Sequence, residues 1–210
     1  MKIIELILDE DAMLNGIDAI SIVEYPAIEE NFVALNRQIK SEFASQDEDK
    51  RLLIGPALIP NRTIYRAQDG EEFYVYFSRQ TIRRAAELYL MRGKQNNSTL
   101  EHQAELHGLS VVESWIVEDP EKDKSTFYGM KMPVGTWMVT MKVNNEAVWT
   151  EFVKTGIVKG FSIEGYFADK VKMAKMELAN EDLLDQVGQM THQEAMEFLY
   201  EVAKLIKDYE

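Results

Sequence analysis

Histidine is the side chain best suited to proton transfer near neutral pH, and the sequence contains only His102, His107 and His192. His102 is distinguished by its setting, because it ends a short predicted strand between Glu101 and Gln103. A histidine at the end of a strand can reach a side chain of the neighbouring strand, as a general base must. His102 is therefore the candidate base, although a single histidine is more often structural.

The second candidate is a serine within residues 160–165, a predicted strand with a glycine at each end. Strand alternation places Phe161 and Ile163 on one face, and Ser162 and Glu164 on the other. The glycines would let the backbone of a substrate approach this strand closely. From spacing alone, Ser162 is more simply a half-exposed serine of a strand than a nucleophile. The nucleophile-elbow motif has a glycine two residues after its serine, and that position is Glu164 here.

Other groups of reactive residue types have a simpler interpretation. Acidic residues concentrate at 47–49 and 118–123, but they lack the spacing and the turn glycine of a calcium loop and are predicted to be solvated. Because the chain contains no cysteine, a thiolate nucleophile and a thiolate zinc site are excluded. We therefore predict no metal and no cofactor.

Composition indicates a globular protein of 210 residues, since 46 % hydrophobic and 10 % aromatic residues are too many for a disordered chain. The 36 acidic and 23 basic residues give a net charge of −13, the opposite of what a general nucleic-acid binder needs.

No apolar run approaches the ~20 residues of a membrane-spanning helix. Glu5 and the lack of a small-residue cleavage site argue against a signal peptide. We expect a cytosolic protein with no nucleic-acid or membrane partner.

The hydrophobic pattern predicts an α+β fold in which strands outnumber helices. The predicted strands are residues 2–8, 17–23, 52–59, 72–77, 98–102, 109–118, 136–143 and 160–168. The predicted helices are residues 79–92, 145–154, 180–187 and 191–208. Ser78 is the expected N-cap of the first helix, and residues 36–51 are an expected polar connector or surface helix. We predict a β-rich domain over residues 1–169 and a helical extension over residues 170–210.

Several segments in the central third of the chain resemble, in the same order, the XkdF-type phage serine proteases, which are relatives of the tailed-phage prohead maturation proteases. The matching segments are residues 99–103, 112–116, 123–125, 133–137 and 158–165. Each segment alone would be a weak match, but their order makes the set fairly specific. The N-terminal part of the chain matches loosely.

This resemblance implies a herpesvirus-assemblin-like fold, with a β-barrel-like antiparallel core and flanking helices. It places the histidine of the family on His102 and its nucleophile on Ser162. In such enzymes the histidine accepts the proton of the serine, whose oxygen attacks a peptide carbonyl. The implied substrates are the phage scaffold protein, the major capsid protein and the enzyme itself, inside the prohead in the host cytoplasm.

The resemblance leaves the third catalytic member open. Residues 17–27 resemble a strand and Pro-Ala turn that follows the serine strand in many prohead proteases, yet here they precede it, which implies a circularly permuted strand order. The orienting acid of the family would then fall near Asp18, one residue out of register, and such a slip moves a side chain to the other face. His107, Glu164 and His192 are the alternatives.

Two functions from different classes fit these observations. One is a serine endopeptidase of phage prohead maturation. The other is a non-catalytic capsid-assembly or scaffold-binding protein that keeps the protease fold. The apolar stripe of the last predicted helix suits a helical partner or self-association in either case. The exchange Ser162→Ala separates the two functions, because only the first requires this hydroxyl group.

Overall fold

A computed structural model describes residues 2–9, 15–30, 32–35, 50–68, 70–170, 172 and 196. The chain divides into two compact units, residues 1–169 and residues 170–210, and nearly all described residues belong to the first. Most of the predicted connector at residues 36–51 lies outside the described residues. The same holds for the predicted C-terminal helices, of which only Met196 is described.

The described residues form twelve strands and two α-helices, with three short helical turns of other types. The strands are β1 (Lys2–Ile7), β2 (Gly16–Val23), β3 (Val33–Leu35), β4 (Leu52–Leu58), β5 (Ile64–Gln68), β6 (Glu71–Phe77), β7 (Ser98–Leu100), β8 (Ala104–Leu106), β9 (Leu109–Ile116), β10 (Trp137–Val143), β11 (Gly160–Tyr166) and β12 (Ala168–Asp169). The helices are α1 (Arg79–Met91) and α2 (Glu146–Val148), which continues into a π-helical turn (Trp149–Val153), and the 3₁₀ turns are Lys94–Asn96 and Lys124–Tyr128.

Hydrogen bonding joins the described strands into three four-stranded sheets. Their orders are β12-β1-β6-β5, β3-β4-β10-β9 and β11-β2-β7-β8. The pairs β1–β6 and β2–β7 are parallel and the other pairs are antiparallel. This architecture confirms the predicted α+β class. Within the described residues the sheets surround a common core without closing into one barrel.

Helix α1 begins where the sequence predicts, because the Ser78 hydroxyl accepts a hydrogen bond from the Thr81 backbone N–H. Its buried face contacts β2, β9 and β10, so the helix covers parts of two sheets. The ring of Tyr89 packs edge-on against Trp137, with centroids 5.4 Å apart. Both side chains are fully buried, and this contact fixes α1 against the sheet of β10.

The structure differs from the predicted elements in several places. The short strands β3, β5 and β8 were not predicted, and the predicted strand at residues 160–168 is divided into β11 and β12. The predicted strand at residues 98–102 ends at Leu100, because Glu101 and His102 turn the chain. Among the described residues, no helix is both long and apolar enough to cross a membrane.

Candidate active site

Ser162 lies in the middle of β11, at the end of a row of hydroxyl side chains that crosses three strands. It pairs directly with Ser21 of β2, and Ser21 pairs with Thr99 of β7. Residues that are directly opposite on adjacent strands project to the same face of a sheet. Ser162, Ser21 and Thr99 therefore share one face, while Phe161 projects from the opposite face into the core.

His102 lies in the tight turn between β7 and β8. Glu101 and His102 both have positive φ, 51° and 58°, and the Gln103 N–H donates to the Leu100 carbonyl at 3.0 Å. These are the features of a type I′ turn, which usually has glycine or asparagine at such positions. Two successive non-glycine residues in this region carry backbone strain, which tends to occur at functional sites.

Hydrogen bonds to β2 and to the residue after it hold this turn in place. The Ser21 hydroxyl, which is completely buried, accepts from the His102 backbone N–H at 3.1 Å and donates to the Thr99 carbonyl at 3.2 Å. The Glu24 backbone N–H donates to the Glu101 carboxylate at 2.6 Å. The conformation of His102 is thus fixed by the strand that lies between it and Ser162.

The imidazole of His102 contacts Glu164, which lies two residues after Ser162 on the same face of β11. Nδ1 of His102 is 3.1 Å from Oε1 of Glu164, and the Thr99 hydroxyl donates to the same oxygen. The side chains of His102 and Glu164 are 42 % and 31 % exposed, so the pair lies at the surface. A carboxylate that accepts a hydrogen bond from Nδ1–H leaves Nε2 of a neutral imidazole free to act as a base.

The structure therefore brings Ser162, His102 and Glu164 to one face of one sheet. Thr99 lies on the same face and adds a further polar group. Successive residues on one strand face are about 6.6 Å apart, which places the Glu164–His102 pair next to the Ser162 position. Ser162 is 8 % exposed, and its hydroxyl makes no recorded hydrogen bond to another described residue. This arrangement could perform nucleophilic catalysis assisted by a general base.

The other candidates for the third member lie elsewhere. The Asp18 carboxylate forms an ion pair with Lys94 at 3.0 Å, and the Asp18 carbonyl accepts from Asn97. Asp18 is the unpaired residue of a bulge, since the register of β2 against β11 passes from Ala19 to Ile17. The structure does not record a contact between Asp18 and His102.

His107 lies away from this site. The carbonyl of His107 accepts a hydrogen bond from Asn145, in the turn between β8 and β9. His192 lies outside the described residues. Among the residues that the structure describes, no group of three or more His, Asp or Glu side chains is arranged to hold a metal ion.

The two glycines of β11 lie close to neighbouring parts of the chain. A Cβ atom on Gly160 would lie 2.8 Å from the Glu30 carbonyl oxygen, and it would also overlap the ring of Pro26. A Cβ atom on Gly165 would lie 2.8 Å from the Cα of Ile17 and closer still to the preceding carbonyl. These glycines thus permit close packing of neighbouring segments of the chain. This packing is enough to explain why glycine stands at both positions, whether or not a substrate also approaches here.

Sequence reasoning named Glu164 as an alternative but missed Ser21 and Thr99. The available signal was strand alternation in β2, because Ser21 lies between Ile20 and Ile22 and a polar residue there needs a buried partner. What the sequence could not supply was the identity of the neighbouring strands. The hydrogen bonds of Ser21 depend on pairing between β2 and β7, which 78 residues separate at this point.

Comparison with known proteins gives one match. The family model described as "Putative phage serine protease XkdF" matches residues 40–172, which is more than half of the chain and includes His102 and Ser162. No curated protein and no solved structure matches the chain.

Proposed function

The chain belongs to the XkdF family of phage serine proteases, and on that premise we propose that it is a serine endopeptidase in which Ser162 is the nucleophile, His102 the general base and Glu164 the residue that orients His102. The observation that carries the assignment is the contact of Glu164 with His102 on the face of the sheet that also contains Ser162. Glu164 replaces Asp18, whose carboxylate contacts Lys94 instead.

The proposed reaction has two stages. Nε2 of His102 takes the Ser162 hydroxyl proton as the oxygen attacks the peptide carbonyl, and a tetrahedral intermediate forms. His102 then gives this proton to the leaving nitrogen, the C–N bond breaks, and an acyl ester remains on Ser162. Water then attacks the ester carbonyl as His102 takes its proton, the C–O bond to Ser162 breaks, and His102 returns the proton to the serine oxygen, which releases the carboxylate product and restores the serine. Throughout, the Glu164 carboxylate holds Nδ1–H and stabilises the transient imidazolium.

Loss of the nucleophile is the direct test. We expect Ser162→Ala to abolish cleavage of a mixture of unstructured peptides, measured by mass spectrometry, while the thermal unfolding temperature stays close to that of the parent. Ser110→Ala is the matched control, because Ser110 is a half-buried serine of β9 that bonds Asn96 away from the site. Equal cleavage by the Ser162→Ala variant and the parent would reject the assignment.

We further propose that the natural substrates are the scaffold protein and the major capsid protein of the prohead, and that the enzyme also processes itself. Family membership supports a phage role, and enclosure in the prohead would confine a protease to the proteins packed with it. Co-expression with the neighbouring head proteins, with and without Ser162, tests this by mass spectrometry of each product. If the head proteins bind this protein but stay uncleaved both with Ser162 and without it, the non-catalytic scaffold-binding function fits the result and the endopeptidase function does not.

A further inference from the structure

A cavity of about 250 Å³ lies beside β11, which is the edge strand of its sheet. Ser162 lines it together with Ile163, which projects from the opposite face of β11, so the cavity lies along the edge of this strand and not on the face that His102 and Glu164 share. Most of the lining residues are apolar. They include Leu58, Ile64, Phe77, Phe161 and Phe167. This volume suits one large apolar side chain and is below the range of typical small-molecule pockets, which begins at roughly 300 Å³.

A larger surface groove of about 690 Å³ adjoins the cavity. The two share Ala27, Ile64 and Arg66 as lining residues, so they form one continuous depression, here called the Arg66 cleft. Tyr25 and Tyr65, which are exposed, line the outer groove. A cleft with one apolar cavity and a longer open groove has the shape expected for an extended peptide.

The basic residues of the cleft differ in their partners. Arg62 pairs with Glu30 at 2.9 Å, and Lys159 pairs with Glu24 at 3.5 Å. Arg66 donates to the neighbouring Tyr65 carbonyl at 3.0 Å, but no carboxylate of a described residue lies within ion-pair distance of it. Arg66 is thus the cation of the cleft that can bind the carboxylate of a ligand without breaking an existing ion pair with a described residue.

We propose that the Arg66 cleft is the substrate-recognition site and that it selects peptide segments with a large apolar side chain near an aspartate or glutamate. The apolar side chain would occupy the cavity beside Ser162, and the guanidinium of Arg66 would bind the carboxylate. This inference rests on the proposed endopeptidase function. It deepens that function by naming the class of sequence that the enzyme cleaves.

The test uses the full chain with Ser162→Ala, so that peptides bind without being cleaved. The probes are fluorescent peptides with one fixed leucine and an aspartate placed in turn at each flanking position, and fluorescence anisotropy measures their Kd. We expect one spacing to bind at least about tenfold more tightly than the same peptide with lysine for aspartate or glycine for leucine. Adding Arg66→Glu should remove the preference for aspartate over lysine, whereas Arg83→Glu, on the surface of α1 outside the cleft, should preserve it.

Arg66→Gln is a second variant, in case the charge reversal prevents folding, and it should weaken the aspartate preference. Equal binding of all peptides, or a preference that survives both Arg66 exchanges, would overturn the inference. The parent chain is tested for cleavage of the same peptides. Cleavage without sequence preference would keep the endopeptidase function and reject the recognition site. Arg66-dependent binding with no cleavage would reject the endopeptidase function and keep the cleft as a peptide-binding site.

Discussion

Nδ1 of His102 lies 3.1 Å from Oε1 of Glu164, although 62 residues separate them in the sequence. His102 lies in the turn that follows β7, and β2 lies between β7 and β11, so the imidazole reaches across β2 to the strand of Ser162. A charge-assisted hydrogen bond of this kind fixes both the tautomer and the orientation of a histidine. Glu164 is therefore the acid that contacts His102 on the face of the sheet that also contains Ser162.

If Glu164 orients His102, then Glu164→Gln should lower kcat by about 10²- to 10⁴-fold and leave KM nearly unchanged, because the interaction matters most in the transition state. Steady-state cleavage of a peptide that the parent chain cleaves measures both constants. Asp18→Asn is the matched control and should retain nearly all activity, since Asp18 contacts Lys94. Loss of activity in the Asp18 variant alone would restore Asp18 as the third member.

Ser21 is expected to position His102 through the backbone. Ser21→Ala leaves the His102 N–H and the Thr99 carbonyl without their buried partner, which should lower the free energy of unfolding by about 1–3 kcal/mol. The strained turn at Glu101 and His102 should then relax, so kcat should fall more than KM rises. Urea denaturation and steady-state kinetics measure the two effects. A variant that loses stability but keeps the parent's kcat would assign Ser21 a structural role only.

Much of the local structure was predictable from the sequence. Ser78 marks the beginning of α1, and the alternation of apolar residues gives β10 its limits to within one residue. The same alternation places Ser162 and Glu164 on one face of β11, because that argument needs only the strand's own periodicity. Short strands such as β5 were not predicted. The five residues of β5 include Arg66 and Gln68 and therefore lack a strong alternation of apolar and polar residues.

The assembly of the site was not predictable in the same way. The contact between His102 and Glu164 requires β2 to pair with both β7 and β11, and pairing between distant strands leaves no periodic signal. The positive φ of His102 also has no sequence signature, because glycine or asparagine would normally mark such a turn. That the strand order is a circular permutation of the prohead-protease order stays a prediction.

Gly165 is expected to be among the glycines least tolerant of substitution. In Gly165→Ala the new methyl group would meet the backbone at Gly16 and Ile17, which cannot move without breaking the pairing of β2 with β11. We expect a loss of unfolding free energy of several kcal/mol, beyond the 1–3 kcal/mol typical of overpacking. Gly70→Ala is the control, because its φ of +81° is strained but, apart from its chain neighbours, no described residue lies within 4 Å of the new Cβ. A similar loss in both variants would show that backbone strain, and not the close contact, is responsible.

Glu113 gives a prediction for pH dependence. A hydrogen bond from Lys124, and a second from Thr140, hold the pKa of Glu113 below its ordinary value. Because the folded-state pKa is the lower one, the stabilisation is complete above the unfolded-state pKa of about 4.3 and is lost as the pH falls through the folded value. The side chain is 47 % exposed, so solvent screening limits the effect to about 1 kcal/mol or less.

The parent should therefore be more stable than Glu113→Gln at pH 7, and the difference in unfolding temperature should shrink as the pH falls below about 4. Thermal denaturation of both proteins across this pH range measures it. Glu105→Gln, which removes an exposed carboxylate with no ion-pair partner among the described residues, is the control. A difference between parent and Glu113→Gln that stays constant with pH, or grows on acidification, would show that the hydrogen bonds of Glu113 do not favour its charged form.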